Sequence, residues 1–225
     1  MSSTISQPTV RSARSSELGC TAMLHERELP AGFFARLGPR FLQRYHQTFS
    51  ESPLADVLVV PNGSEPAGVL VGTYDNAAHY RWAMRHCGRM LAVAGLLSLL
   101  RRPRLLLEFL RTRVGRYARA TLRYLRRRTR RSGGHPGEPV AAPAQVAVLT
   151  HVAVSPEARG AGVGGTLVEG FARRACEAGA DEVRLITPSN GPGPGFYRAL
   201  GWHQLRSRRA ADGTVVDVFV LSLSE

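Results

Sequence analysis

Apolar residues along the chain show both strand-like runs and helical periodicity, and the two patterns together predict a mixed α/β domain. Short β-branched and apolar runs predict strands at 10–14, 55–60, 67–74, 146–154, 182–187, 202–206 and 214–223. A spacing of three to four residues between apolar side chains predicts helices at about 15–25, 32–50, 164–179 and 196–200. The Asn62-Gly63 pair between two of the strands predicts a β-hairpin.

The segment 76–144 departs from this order and is predicted to be a helical insertion that ends in a Gly/Pro-rich linker. Residues 81–131 hold 16 of the 30 arginines and a single acid, Glu108. This segment therefore has a net charge of +15, and the rest of the chain, with 14 arginines and 16 acids, has −2, which together give the +13 of the whole chain. Its apolar positions predict two basic amphipathic helices that are separated near Pro103.

Three interpretations of these helices stay open. In the first, they cap a substrate (acceptor) site or form a homodimer surface. In the second, they bind an anionic acceptor or a cofactor phosphate. In the third, they make peripheral contact with a membrane through 81–131. Nucleic acid is disfavoured as a partner, because no recognised reading module accompanies the charge. The longest apolar run, Met90–Leu100, is about half the ~20 residues that a membrane span needs.

The cysteines and the first residues bear on the compartment. Cys20, Cys87 and Cys176 are odd in number and far apart, which disfavours both a metal site and a disulfide framework. Residues 1–9 are predicted to be a disordered tail, and they lack the apolar core of a secretory signal. Both observations predict a cytoplasmic protein.

The stretch Val146–Gly165 carries the clearest chemistry, because a strand runs through a glycine-rich turn into a helix. Free backbone N–H groups and the helix dipole predict a phosphate or pyrophosphate site there. Gly160, Gly162 and Gly165 also fit the dinucleotide pattern G-x-G-x-x-G. Dinucleotide-binding domains with this pattern have an acidic residue at the end of the next strand. This chain has Thr187-Pro188 there, so the dinucleotide interpretation is disfavoured.

Two motifs together resemble those of the GNAT superfamily of N-acetyltransferases. Arg159 to Gly164 fits [Q/R]-x-x-G-x-[G/A], and NGPGPGFYRALGW at 190–202 fits N-x-x-[A/G]-x-x-F-Y-x-x-x-G-[F/W]. The resemblance implies an α/β (α+β) fold with a mixed, mostly antiparallel central sheet, a splayed fourth and fifth strand pair and flanking helices. It places residues 10–225 in one acetyltransferase domain, which the helical insertion interrupts between strands three and four.

The same resemblance implies acetyl-CoA as co-substrate and assigns residues to it. Tyr197 is expected to be the general acid for the leaving thiolate, since a phenol pKa of about 10 lies near that of a thiol. The expected cofactor-binding residues are Val152, Ala153, Val154, Arg159, Gly160, Ala161, Gly162, Val163, Gly164, Gly165, Thr166, Asn190, Phe196 and Tyr197.

The acceptor side departs from the family pattern. The family often has a glutamate in the fourth strand that acts as the general base, and Val148 stands at the matching position. His151 is the candidate base, and regular alternation places it on the opposite face from Val148. Phe34 and Tyr74 are assigned to the acceptor site, and Tyr74, Asp75 and His79 are alternative bases.

These residues predict an acetyl-CoA-dependent N-acetyltransferase that acts on a primary amine of a small molecule by direct attack in a ternary complex. A non-catalytic acyl-CoA-binding sensor or membrane-surface-associated module is one alternative, motivated by Val148 and the basic helices. A protein amino-group acetyltransferase is the second alternative.

Overall fold

One seven-stranded sheet organises the protein. The computed structural model describes residues 9–110, 145–210 and 213–223. The strands are β1 (Arg11–Ser12), β2 (Ala55–Asn62), β3 (Glu65–Thr73), β4 (Val146–Val154), β5 (Glu182–Pro188), β6 (His203–Arg209) and β7 (Val215–Ser222). Their order is β1-β2-β3-β4-β5-β7-β6, and every neighbouring pair is antiparallel except β4 and β5. The predicted mixed, mostly antiparallel sheet is confirmed.

The described residues also form seven α-helices. They are α1 (Leu18–Glu28), α2 (Pro39–Ser50), α3 (Asn76–His86), α4 (Gly88–Leu100), α5 (Pro103–Phe109), α6 (Val163–Glu177) and α7 (Gly193–Ala199). Leu167 and Phe171 of α6 are fully buried against Leu70 of β3 and Leu149 of β4 in one apolar cluster. Helices α1 and α2 pack on β2, β3 and β4 as well.

Two helix predictions were wrong in their bounds. The helix expected over 32–50 begins only at Pro39, because Gly38 has a φ of +93° and proline fits the first turn but lacks an N–H. The helix expected near 196 begins at Gly193 instead, since Pro194 is accepted in its first turn.

Three helices occupy the described part of the segment 76–144. The long helix expected before Pro103 is broken at Cys87 into α3 and α4, and Asp75 caps α3 by accepting a 2.9 Å hydrogen bond from the Ala78 N–H. The second predicted basic helix continues past residue 110, and that part lies outside the described residues, as do the linker 132–144 and residues 1–8 of the expected tail.

The fourth and fifth strands separate along their length, as predicted. They pair only from Val146 with Glu182 to Val148 with Arg184, although both strands continue for several residues beyond. The far half of β4 therefore has β3 on one side and a gap on the other.

A bulge interrupts β4 where this separation begins. Leu149 pairs with Gly72 and His151 with Val71, so Thr150 has no partner on β3. The extra residue shifts the alternation: Leu149 and Val152 both pack on the α6 side. The expectation that His151 lies opposite Val148 is therefore wrong, because Val148 pairs with Thr73 and His151 with Val71, which share the other face.

The chain forms two compact units, residues 1–95 with 144–225 and residues 96–143. Among the described residues, no helix has the length and apolar character that crossing a membrane requires.

Candidate active site

A cleft of about 680 Å³ opens between the separated strands β4 and β5. Its lining comes from the end of α1, from β4, from the glycine-rich turn, from the end of β5 and from α7. The lining residues are Glu28, Leu29, Val152, Val154, Ala158, Arg159, Gly160, Gly162, Val163, Gly164, Gly165, Thr187, Pro188, Gly191, Pro192, Gly193, Phe196 and Tyr197.

The glycine-rich turn presents unpaired donors to this cleft. Gly160 and Gly162 both have a φ of +78°, a left-handed conformation that favours glycine, and Gly162 is the N-cap of α6. Thr166 makes the first intrahelical bond, to the Gly162 carbonyl at 3.0 Å. In the described part of the chain, the backbone N–H groups of Gly162, Val163, Gly164 and Gly165 donate to no backbone acceptor. These N–H groups and the helix dipole suit an anion.

Four of the expected cofactor residues do not line the cleft. Ala161 and Thr166 line a second cavity of about 470 Å³ on the outer side of the same turn, and Gly162 borders both cavities. The Thr166 hydroxyl donates to the Gly162 carbonyl at 3.2 Å, so its proton is already engaged. Asn190 is exposed beside the cleft, and Ala153 is buried away from it.

Arg159 reaches the cleft mouth but is already paired. Its Nη2 donates to Glu28 Oε2 at 2.5 Å, and Arg27 Nε donates to the other carboxylate oxygen at 2.8 Å. The Glu28 side chain is 8% exposed and that of Arg159 is 60% exposed. Glu28 therefore links the end of α1 to the glycine-rich turn and places a negative charge at the cleft.

Tyr197 lies where α7 meets the cleft. Its ring is 5.0 Å from Phe196 and 5.5 Å from Trp202, and the residue is buried. Burial raises the pKa of Tyr197 to about 12, so the phenol is protonated at neutral pH. No described residue forms a hydrogen bond with its hydroxyl, which leaves that group available to a ligand in the cleft.

His151 belongs to a histidine cluster on the face of the sheet opposite α6. Its ring lies 4.4 Å from that of His25 in α1 and 6.1 Å from that of Tyr45 in α2. Its Nε2 is buried without a hydrogen-bond partner among the described residues. Burial, with a smaller contribution from His25, lowers the pKa of His151 to about 3.

A chain of hydrogen bonds fixes the tautomers of the two deeper histidines. The Thr21 hydroxyl donates to the Leu18 carbonyl at 3.0 Å, so it accepts from His46 Nδ1 at 2.9 Å. His46 Nε2 is then the acceptor for the Nδ1–H of His25 at 3.0 Å. Burial lowers the pKa of His25 to about 4 and holds that of His46 well below its usual range, so both rings are neutral at pH 7.

The two expected acceptor-site residues lie on different faces. Phe34 stacks 4.8 Å from Tyr45, next to the histidine cluster. Tyr74 stacks 5.7 Å from Phe171 of α6, and its hydroxyl donates to Asp56 at 3.3 Å. The structure therefore links Phe34 to His151 through Tyr45, while Tyr74 lies on the α6 side.

Several cleft residues carried no signal in the sequence. Glu28 and Leu29 reach the cleft only through the tertiary fold, more than a hundred residues from the glycine-rich turn. Thr187 is buried at the end of β5, and a Cβ on Gly193 would stand 2.2 Å from its hydroxyl oxygen. The glycine at 193, which does lie inside a recognised motif, lets α7 approach β5 that closely.

Comparisons with known proteins concern the family and the fold. A family model described as acetyltransferase (GNAT) domain matches residues 111–204, and a model described as protein of unknown function (DUF2826) matches residues 9–124. A search of curated proteins found no match.

Solved structures of acetyltransferases have a similar fold. One is titled histone acetyltransferase HPA2 and related acetyltransferase, from Corynebacterium glutamicum (16% identity, 98% of each chain, TM-score 0.56). Another is a GNAT-family protein from Desulfovibrio desulfuricans (13% identity, 96% of this chain and 99% of that chain, TM-score 0.54). A third is the NatC complex bound to Gag peptide and CoA (12% identity, 96% of this chain and 98% of that chain, TM-score 0.52). At these identities the likeness concerns the fold.

Proposed function

We propose that this chain moves the acetyl group of acetyl-CoA to a primary amine of a small molecule. The chain belongs to the GNAT superfamily of acetyltransferases and, through the model over residues 9–124, to a family of unknown function. Acyl-CoA-dependent acetyl transfer follows from the family. The acetyl donor, the amine and its small size are our proposal. The observation that carries it is the set of free N–H groups at the mouth of the cleft between β4 and β5.

The residues present fit CoA. The N–H groups of Gly162 to Gly165 would hold the pyrophosphate at the start of α6. The edge of β4 beyond Val148 is unpaired on the β5 side, so its backbone groups suit the amides of the pantetheine arm. Val152, Val154 and Phe196 supply apolar walls for the same arm.

The chain's contribution to the chemistry would be mostly positional. Acetyl-CoA supplies a thioester whose acyl carbon an amine attacks directly. Backbone N–H groups of β4 next to the bulge, near Val152 and Val154, would stabilise the negative charge on the acyl oxygen. Holding the two substrates together contributes the remaining gain in rate.

Tyr197 would protonate the departing thiolate. It lines the cleft, it is protonated at neutral pH, and no described residue competes for its hydroxyl. A pKa of about 12 makes the free phenol a weaker acid than a thiol, so the transfer must coincide with C–S cleavage rather than precede it.

His151 would orient the amine rather than deprotonate it. A pKa of about 3 makes its imidazole a poor proton acceptor. Its neutral Nε2 lacks a partner among the described residues and can accept a hydrogen bond, but it is buried and does not line the cleft, so an amine would reach it only if the rings around His151 move. The proton then leaves to water. Tyr45 packs against His151, and Phe34 packs against Tyr45, so an acceptor on this face would have an apolar part.

A CoA-release assay over a panel of amines tests this function. Small primary amines and N-terminal peptides are compared at one acetyl-CoA concentration, with longer acyl-CoAs as alternative donors. Release with small amines and not with peptides is expected. Release with peptides alone would favour the protein acetyltransferase, and CoA binding without any release would favour a non-catalytic acyl-CoA-binding protein.

A further inference from the structure

Exposed leucines are concentrated in the described part of the second unit. Leu96, Leu97 and Leu100 near the end of α4 are 55%, 49% and 60% exposed, and Leu107 and Leu110 are 48% and 51% exposed. Their spacing places the first three on one turn of α4 and the last two on one side of α5. Single exposed leucines are ordinary, but five of them within residues 96–110 indicate a region that meets an apolar partner.

Arginines stand between the two groups of leucines. Arg101, Arg102 and Arg104 are exposed, and none of them forms a salt bridge with a residue that the structure describes. These eight residues are called the leucine–arginine surface. The surrounding sequence from 81 to 131 has 16 arginines and one acid, so the positive charge extends well beyond it.

We propose that the leucine–arginine surface binds an anionic lipid bilayer, with the leucines in the boundary between headgroups and acyl chains and the arginines on lipid phosphates. Helix α4, with 13 residues, is about 20 Å long, so it lies on a bilayer rather than crossing its ~30 Å core. This interaction is separate from the proposed acetyl transfer.

An anionic bilayer fits both the leucines and the arginines of the surface, whereas a nucleic acid or a second copy of the chain fits only one of the two. A nucleic acid would use the arginines and leave five leucines in water. A second copy of the chain would bury the leucines but would bring two sets of three arginines together.

Vesicle sedimentation of the full-length protein tests the proposal. Vesicles of phosphatidylcholine alone are compared with vesicles that also contain phosphatidylglycerol. The variant Leu97→Ser/Leu100→Ser is matched by Leu205→Ser, an equally exposed leucine on β6. The variant Arg101→Gln/Arg102→Gln is matched by Arg206→Gln/Arg208→Gln, on the same exposed strand.

The wild type should bind vesicles with phosphatidylglycerol and bind phosphatidylcholine weakly. The double leucine variant should lose at least about tenfold in partition, and the double arginine variant roughly thirtyfold on anionic vesicles only. The β6 variants should bind like the wild type. Thermal unfolding of each variant, together with CoA titration, separates loss of the surface from loss of the fold.

Three results would overturn the proposal. The first is a wild type that does not bind anionic vesicles. The second is a leucine variant that binds them as well as Leu205→Ser does. The third is a wild-type dimer in sedimentation velocity that is lost only in the leucine variant. Tight binding of a DNA duplex that the leucine variant retains, without vesicle binding, would assign the arginines to nucleic acid instead.

Discussion

Replacing Gly162 by Ala tests whether the left-handed backbone of the glycine-rich turn sets acyl-CoA affinity. A Cβ at this position would meet no heavy atom within 4 Å, so the substitution causes backbone strain and no clash. A residue with a Cβ loses roughly 1–2 kcal/mol in the left-handed conformation. The variant either keeps that conformation and unfolds more easily, or rotates out of it and moves the free N–H groups of Val163 and Gly164.

Gly179 provides a matched control at the other end of the same helix. It follows α6 with a φ of +84°, and a Cβ there would come no closer than 3.9 Å to any neighbour. Gly179→Ala should therefore lower the free energy of unfolding by the same roughly 1–2 kcal/mol, measured by urea denaturation without ligand, and leave CoA affinity unchanged.

In Gly162→Ala the strain is shared between folding and binding. The loss of unfolding free energy and the loss of binding free energy should together reach roughly 1–2 kcal/mol, with CoA affinity falling about three- to thirtyfold in isothermal titration. If Gly162→Ala loses no stability, which means that the turn has left the left-handed conformation, and still binds CoA like the wild type, the left-handed turn does not hold the cofactor.

Three further substitutions or conditions test the site. Tyr197→Phe should lower kcat by about 10²- to 10⁴-fold at unchanged CoA affinity, because only the proton donor is lost; an unchanged kcat would exclude the phenol as general acid. Glu28→Gln frees Arg159 and removes a carboxylate from the cleft, so CoA should bind a few-fold more tightly, by up to about 1 kcal/mol in titration; weaker binding would mean that the ion pair holds the turn in shape. His25, His46 and His151 have lowered pKa values in the folded protein. Unfolding therefore takes up protons below about pH 6.5, so the free energy of unfolding should fall from pH 6.5 towards pH 4, by up to about 1.4 kcal/mol per pH unit for each histidine; denaturant midpoints that stay constant over that range would contradict the burial of these rings.

Most of the cleft lining could be predicted from the sequence because its geometry is local. Arg159 to Gly165 and Phe196-Tyr197 lie in short motifs whose spacing fixes where each residue stands on a turn or a helix, and the structure places nearly all of them at one cleft. Local rules also located the break before Pro103. They misplaced the start of α2, because the apolar spacing from Phe33 onwards outweighed the Gly38-Pro39 signal.

The histidine cluster and the Glu28–Arg159 pair could not be predicted in the same way, since they depend on contacts between distant segments. Glu28 meets Arg159 across 131 positions of sequence. The three neutral histidines come from α1, α2 and β4, and nothing in their spacing indicates that they touch. The bulge at Thr150 has no compositional mark either, and it reversed the predicted face of His151.

Deleting Thr150 would separate the role of this bulge in the fold from its role in the reaction. Without Thr150, Leu149 still pairs with Gly72 and His151 still pairs with Val71, so every later side chain of β4 keeps its face in a regular ladder. The shortened strand should therefore fold with a near-wild-type melting temperature, since the partly exposed Thr150 contributes little burial.

Acetyl transfer, in contrast, should fall strongly in the deletion, because a regular β4 lacks the bend that separates it from β5 and turns its backbone N–H groups towards the cleft. Thr150→Val keeps the bulge and is the control that should retain the wild-type rate. A folded deletion variant that releases CoA as fast as Thr150→Val would show that the bulge is an accommodation of one extra residue, and the oxyanion donors would then have to be sought away from β4.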